Sequence, residues 1–256
     1  MRTLPALVLL AQGLLAADTP AFEWREYLAP EQSLEIITVV GSIRVETSDG
    51  PLTEVLAYKV GSRPDPSTVP VEAVWYEGGA VVCALFPSHN GTPNVCKPDA
   101  PISTSLVNSD LKVNFVVHVP AGVKLRCRTV NGAIDVAVAG NPVSAITVNG
   151  QIHLAGTRDA AATTVNGSIS ASLGDPAWTG KREFRTVNGS VDVQLPATAD
   201  TNVRADLIAG SMASDFPLEI HHRLVGWWME GVLGSGGRDL VLSTVNGSIH
   251  LRRAAE

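Results

Sequence analysis

Thr129-Val130-Asn131-Gly132-Ala133-Ile134-Asp135-Val136 is the first of five copies of one octet. The others are Thr147-Val148-Asn149-Gly150-Gln151-Ile152-His153-Leu154, Thr164-Val165-Asn166-Gly167-Ser168-Ile169-Ser170-Ala171, Thr186-Val187-Asn188-Gly189-Ser190-Val191-Asp192-Val193 and Thr244-Val245-Asn246-Gly247-Ser248-Ile249-His250-Leu251. Asn131, Asn149, Asn166 and Asn188 are separated by 18, 17 and 22 residues. Short repeats of this kind belong to stacked architectures, in which each unit buries its apolar side only against its neighbours. A worn copy, Leu207-Ile208-Ala209-Gly210-Ser211-Met212, follows at a step of 21, and the last step, 37 from Ala209 to Asn246, calls for an insertion or an extra coil. An early relative, Val39-Val40-Gly41-Ser42-Ile43-Arg44-Val45, lacks the Asn.

Asn-Gly between apolar runs ordinarily marks a type I′ hairpin, with positive φ at both central residues. Side-chain parity opposes that reading. In a two-residue hairpin Val130 would face Ala133 and Thr129 would face Ile134, placing one apolar residue on each side of the sheet. A chain that bends at Asn-Gly without reversing keeps Val130, Ile134 and Val136 on one side and Asp135 on the other, and Val148, Ile152 and Leu154 behave alike. The expected fold is all-β, a β-solenoid (parallel β-helix-like) of Thr-Val-Asn-Gly coils, with a hairpin sheet as the alternative. Asn131-Gly132, Asn149-Gly150, Asn166-Gly167, Asn188-Gly189 and Asn246-Gly247 then become structural corners that accept left-handed backbone angles.

Stacking would turn two further regularities into columns. Cys127, Ala145, Ala162, Phe184 and Leu242, each two residues before a Thr, would form a core ladder. Asp135, His153, Ser170, Asp192 and His250, each four after an Asn, would form a polar surface column. Ahead of the repeats, strands are expected over Leu34–Thr38, Ser42–Thr47, Glu54–Val60, Val69–Trp75, Ala80–Phe86 and Leu111–Val119, with no amphipathic helix of three turns. The chain divides into a leader (1–17), a less regular β-rich N-terminal half (18–120) and the repeat region (121–256), the last two read as continuous.

Met1-Arg2, the apolar run Leu4 to Leu15 and the small pair Ala16-Ala17 read as a secretory signal peptide, too short to span a bilayer. No later segment is long and apolar enough to span one. Net charge is −6 and no basic cluster appears, which argues against nucleic acid as a partner. Three cysteines in a chain bound for an oxidising compartment leave one over. Cys83 and Cys96 flank a Pro/Asn/Gly-rich stretch that can turn back, and a disulfide between them is favoured over free thiols. Cys127 holds a position that is apolar in the other repeats and reads as a small core residue.

Three blocks also carry a family pattern. They are Val119-Pro120-Ala121-Gly122-Val123 leading into Arg128-Thr129-Val130-Asn131-Gly132, then Val193-Gln194-Leu195-Pro196 with Ser214-Asp215-Phe216-Pro217-Leu218, and finally Gly231 to Gly237 running into the last octet. In this order they resemble the bacterial β-strand-repeat family of unknown function labelled putative adhesin, and the Cys83 to Cys96 segment is also similar to its members. The likeness covers roughly Ser33 to Arg253. It implies an exported β-solenoid-like domain at the cell envelope, periplasmic, cell-surface or extracellular, and it implies no enzyme. Ala209 departs from the pattern, where members usually keep Asn.

The Asp135/His153/Asp192/His250 column is the best candidate for a ligand-facing site, since strands about 4.8 Å apart bring Asp and His within reach of a metal or a sugar hydroxyl. A solvated strand face accounts for the column equally well. Parallel β-helix enzymes acting on acidic polysaccharides need clustered carboxylates, and Asp135 and Asp192 would stand three coils, about 14 Å, apart. His221 and His222 are adjacent on a strand, so they point to opposite faces. Trp227-Trp228 forms either an exposed aromatic platform or a cover over the open end of the coil stack. The reading is therefore a non-catalytic adhesin-like scaffold without cofactor or metal, meeting an envelope protein or a glycan and not spanning the membrane once the leader is removed. A carbohydrate-active β-helix enzyme and an accessory of envelope-stress sensing are the alternatives.

Overall fold

The computed structural model describes residues 19–63, 65–87, 94–102, 110–174, 180 and 182–254, and the leader expected over 1–17 lies outside them. The first seven strands are β1 (Phe22–Glu26), β2 (Ser33–Ile37), β3 (Ile43–Thr47), β4 (Thr53–Val60), β5 (Val71–Tyr76), β6 (Gly79–Ala84) and β7 (Lys112–Val119). The repeats supply β8 (Lys124–Arg128), β9 (Ile134–Ala137), β10 (Val143–Ile146), β11 (Ile152–Ala155), β12 (Ala160–Thr163), β13 (Ile169–Ser172), β14 (Arg182–Arg185) and β15 (Val191–Leu195). The chain closes with β16 (Thr201–Ser214), β17 (Glu219–His222), β18 (Trp227–Leu233) and β19 (Asp239–Arg253). The protein is all-β: among the described residues the one helical turn is 3₁₀, Pro66–Thr68.

The chain does not reverse at Asn-Gly. Strands before the corner pair in parallel with one another, β8 with β10, then β12, β14 and the first half of β19. Strands after it do the same, β9 with β11, β13, β15 and the second half of β19. The registers place Cys127, Ala145, Ala162, Phe184 and Leu242 in one line, and all five are buried. At the corner each Asn bridges to the next, from Asn131 through Asn246. All 19 strands thus belong to a single sheet, bent along the Asn column and nearly closed, barrel-like, around one continuous core that includes Leu34, Phe115, Ile152, Phe184 and Leu251.

The chemistry of the corner differs from expectation in two respects. Outside glycine, the described residues with positive φ are Glu31 and Asp99, so the corner asparagines are not left-handed. The glycines are required by close approach instead: a Cβ on Gly132, Gly150, Gly167 or Gly247 would land on the carbonyl oxygen of Gly41, Gly132, Gly150 or Gly189 respectively. Those same carbonyls accept the hydroxyls of the next coil's threonines, at 3.1 Å for Thr129, Thr147 and Thr164 and 2.8 Å for Thr244. The inward residue of the corner is therefore Thr, at most 4% exposed in all five copies, while Val runs from 5% exposed at Val130 to 39% at Val187.

The N-terminal strands join the same ladders. β2 lies beside β8 and β3 beside β9, Val40 bridges to Asn131, and β6 and β7 lie one place further out. Antiparallel strands finish this end: β4 on β7, β1 on β4 and β5 on β6. The rings of Trp24 and Trp75 meet over it at 5.7 Å. The Cys83–Cys96 disulfide is present and packs with Ile37 and Val81. Cys127 is free and buried; burial, with the charge of Glu35 adding, pushes its thiol up to about 12, which leaves it inert at neutral pH.

At the other end, chain order and spatial order part. The worn copy on β16 does not follow Asn188. It pairs with β19, Ala209 opposite Asn246 and Gly210 opposite Gly247, so the last octet is inserted between the Asn188 repeat and the worn copy. The 37-residue step holds the β17–β18 hairpin, antiparallel to the first half of β16. The reason lies in the column: Asn246 donates its side-chain amide to Asn188 at 3.0 Å, a bond that alanine cannot make. Placed outermost, Ala209 costs the column one bond rather than dividing it.

Gly167→Ala should lower stability by about 2–3 kcal/mol, because a backbone carbonyl must move. Thr164→Val should cost about 1–2 kcal/mol by leaving a buried carbonyl without its donor. Gly174→Ala, with open space around the added carbon, should fall within about 0.5 kcal/mol of wild type. Urea unfolding midpoints of the three variants check this order.

Candidate functional site

β9, β11, β13, β15 and the second half of β19 each bury two alternate apolar residues, as in Ile134/Val136, Ile152/Leu154 and Ile249/Leu251. A strand's period of two then forces the residue between them outward. Asp135, His153, Ser170, Asp192 and His250 accordingly stand in register, one strand apart. The column continues past Asp135 to Arg44 on β3, then Val116, Leu56 and Glu23, and at the other end to Ala213 on β16. A second row runs beside it, from Arg25 through Glu54, His118, Glu46, Ala137, Ala155, Ser172 and Gln194 to Arg252.

Charge gathers at the two ends of this face. At the C-terminal end one oxygen of Asp192 lies 3.5 Å from Nδ1 of His250 and 2.7 Å from Arg252, beside a shallow depression of about 230 Å³ that Asp215 also lines. At the N-terminal end Glu54 accepts from Arg25 at 2.6 Å and lies 2.9 Å from Nδ1 of His118, while Arg44 holds Glu46 at 2.6 Å. Burial pushes the Glu54 carboxyl up, but the hydrogen bonds from Arg25 and His118 outweigh it and hold the carboxyl below its ordinary 4.5. Between the ends stand Ala137, Ala155 and Ser172. The structure thus brings Asp192 and His250 together and leaves Asp135 three strands from Asp192, about 14 Å.

The corner asparagines form a column of their own. Asn149 donates to Asn131, Asn166 to Asn149 and Asn188 to Asn166, each at 2.8 Å. Their amides are engaged with one another. Trp227 and Trp228 point to opposite sides of β18: Trp227 is 37% exposed with His222 edge-on at 4.7 Å. Trp228 carries His221 stacked at 4.4 Å and the Arg223 guanidinium at 5.2 Å. The two rings therefore do not make one platform. Among the described residues no three His, Cys, Asp or Glu side chains converge where a metal could sit.

One charged cluster escaped the sequence reading. Glu35, 3% exposed, accepts from Arg128 at 3.0 Å and lies 3.7 Å from Arg126, and it takes the backbone N–H of Asp99 at 3.1 Å. These contacts pin the segment after the disulfide onto β2 and β8. Only knowledge that β2 lies beside β8 would have revealed it.

Among solved structures, the chain is similar to one described as a putative cell adhesion protein from Clostridium sporogenes, with 8% identity, a TM-score of 0.50 and coverage of 92% of this chain and 100% of that one. Another, described as a putative adhesin from Bacteroides fragilis, aligns over 90% of this chain and 96% of its own at 8% identity, with a TM-score of 0.27, too low to bear on the fold. The first likeness is one of fold alone. No family model and no curated protein matches the chain, so the β-strand-repeat family is not confirmed by these comparisons.

Glu54→Gln should lower stability by about 1 kcal/mol at neutral pH. Because the folded carboxyl sits below its ordinary 4.5, the contribution of its charge is complete above that value and is lost as pH falls through the depressed one. Urea midpoints of variant and wild type should converge on acidification. A difference that persists in acid would assign the effect to packing.

Proposed function

We propose that this chain is an exported, non-catalytic β-solenoid of the cell envelope, adhesin-like, that presents a strand face to a protein or glycan partner. The solenoid reading is supported by the two parallel ladders, in which each Thr-Val-Asn-Gly corner advances the chain by one strand. The N-terminal half joins those ladders through β2 and β3, which supports one continuous domain over 18–256. Export is supported by the leader pattern of residues 1–17 and by the Cys83–Cys96 disulfide, a bond at home in oxidising compartments. Among the described residues no helix is long and apolar enough to cross a membrane. The fold likeness to a chain described as a putative cell adhesion protein points the same way.

The observation that carries the binding role is the Asp135/His153/Ser170/Asp192/His250 column. It spans four strand spacings, about 19 Å, with small residues beside its middle and charged groups at its ends. That shape suits an extended partner laid across the strands. The Asp192–His250 contact is the one feature that favours a carbohydrate-active enzyme, and the three-strand gap to Asp135 denies it a nearby second carboxylate from the column.

The full chain expressed in a bacterial host should be recovered outside the cytoplasm, starting at Asp18 by mass spectrometry and oxidised at Cys83 and Cys96. Its binding to envelope glycans or proteins on an array should weaken at least tenfold when Asp135, His153, Asp192 and His250 are all changed to Ala, with no turnover of any arrayed glycan. Undiminished binding would remove the column from the function. Glycan cleavage abolished by Asp192→Asn would make the protein an enzyme.

A further inference from the structure

On the opposite broad face, before the corners, the outward residues of β19 are Asp239, Val241 and Ser243. Register places Val241 between Glu183 of β14 and Arg204 of β16, and Ser243 between Arg185 and Asp206. Short side chains on the middle strand and long ones on both neighbours make a furrow along β19, two strand spacings or about 9.6 Å from wall to wall. A depression of about 500 Å³ lies in it, and a second of about 330 Å³, which shares Arg204, Asp239 and Val241, extends across β16 to Val232 of β18.

We propose that this furrow binds a neutral oligosaccharide. Its walls carry matched charge: Arg185 pairs with Glu183, and Asp206 lies 3.5 Å from Arg204 and 3.3 Å from Arg223. With Asp239 on the floor, the three arginines meet three carboxylates, so the furrow offers no cationic excess to an anionic polymer, and planar donors and acceptors alternate along its walls, as vicinal hydroxyls require. Arg185 and Arg204, 54% and 64% exposed, are free to turn toward a ligand. Val241 on the floor and Val232, 62% exposed at the β18 rim, give apolar surface for the C–H face of a sugar ring. A peptide strand is disfavoured, because β14 and β16 occupy both edges of β19 along the furrow, leaving no main-chain edge to extend. Recognition falls to side chains, which suits a polyol.

The furrow is separate from the Asp135–His250 column, so either assignment can fail alone. The test is calorimetric titration of the full exported chain with neutral β-glucan, chitin and mannan fragments of about five sugars, long enough for a furrow of this size, and with polygalacturonate as the anionic comparison. At least one neutral fragment should bind, with affinity insensitive to salt. Ser243→Arg, which fills the floor, and Arg185→Gln, an exposed change that leaves the strand intact, should each weaken binding at least tenfold. Ser144→Arg, on the same face three strands away, should leave it unchanged. Binding that survives both furrow variants, tighter binding of polygalacturonate, or failure of every neutral fragment to bind would overturn the proposal. Those results leave the column reading to its own quadruple variant.

Discussion

Everything in this fold depends on the contact between the glycine of one repeat and the glycine carbonyl of the repeat before it. Where a chain turns a corner without reversing, neighbouring repeats must bring their backbones together, and at Gly132, Gly150, Gly167 and Gly247 there is no room for a Cβ. The carbonyl approached in this way points to the coil that follows, where the backbone N–H of a β-ladder would normally meet it. A threonine hydroxyl takes that place. A buried acceptor left without a donor costs on the order of 1–3 kcal/mol, so Thr and Gly, three residues apart, are one device. The same device stands at Thr38-Val39-Val40-Gly41, where Thr38 is buried and a Cβ on Gly41 would strike the carbonyl of Val113. Asn is absent there and the corner still forms. Asn therefore links coils along the surface, and Thr-x-x-Gly makes the turn.

This distinction explains how the stack ends. Leu207-Ile208-Ala209-Gly210 keeps the glycine and loses both Thr and Asn, so it can lie against a neighbour on one side but offers nothing to a further coil. β16 is accordingly outermost over its second half, and its first half is closed by an antiparallel hairpin. The N-terminal end uses another solution with the same result: β7, β4 and β1 pass from parallel to antiparallel pairing, and Trp24 packs against the core with Trp75 on its outer side. A parallel stack with uncapped ends would expose core and strand edges together, the usual route to unwanted association.

The sequence carried whatever depends on residues close in the chain or at a fixed phase of the repeat. The buried line from Cys127 to Leu242 and the surface column from Asp135 to His250 are both phase relations, and both can be read before any coordinate is known. The disulfide was legible because its loop is short. The corner was half legible: parity showed that the chain does not reverse and put Val130 inside, where it is buried, but it did not show that Thr is the buried residue in all five copies while Val165 and Val187 turn outward. The place of the last octet was not legible, because order along the column follows which coils carry the amide and not distance along the chain. The furrow was hidden for a related reason. Arg185 and Arg204 lie on successive parts of the chain, yet the strand that separates them, β19, is made last.

Once corner, core and ends are satisfied, the outward side chains of both broad faces are released from structural duty. Each backbone donor and acceptor in the middle of the stack is already spent on the coil above or below. A partner meeting these faces can therefore be recognised only through side chains, row by row at the strand spacing. The two faces have used that freedom differently. After the corner, paired charges gather at the two ends of a row of small residues, while before it they are paired across short gaps to wall a furrow. A face of the first kind suits an extended partner that meets fixed charges at a distance, and one of the second suits a ligand rich in hydrogen bonds and poor in charge. The scaffold can therefore carry both without either site bearing on the fold.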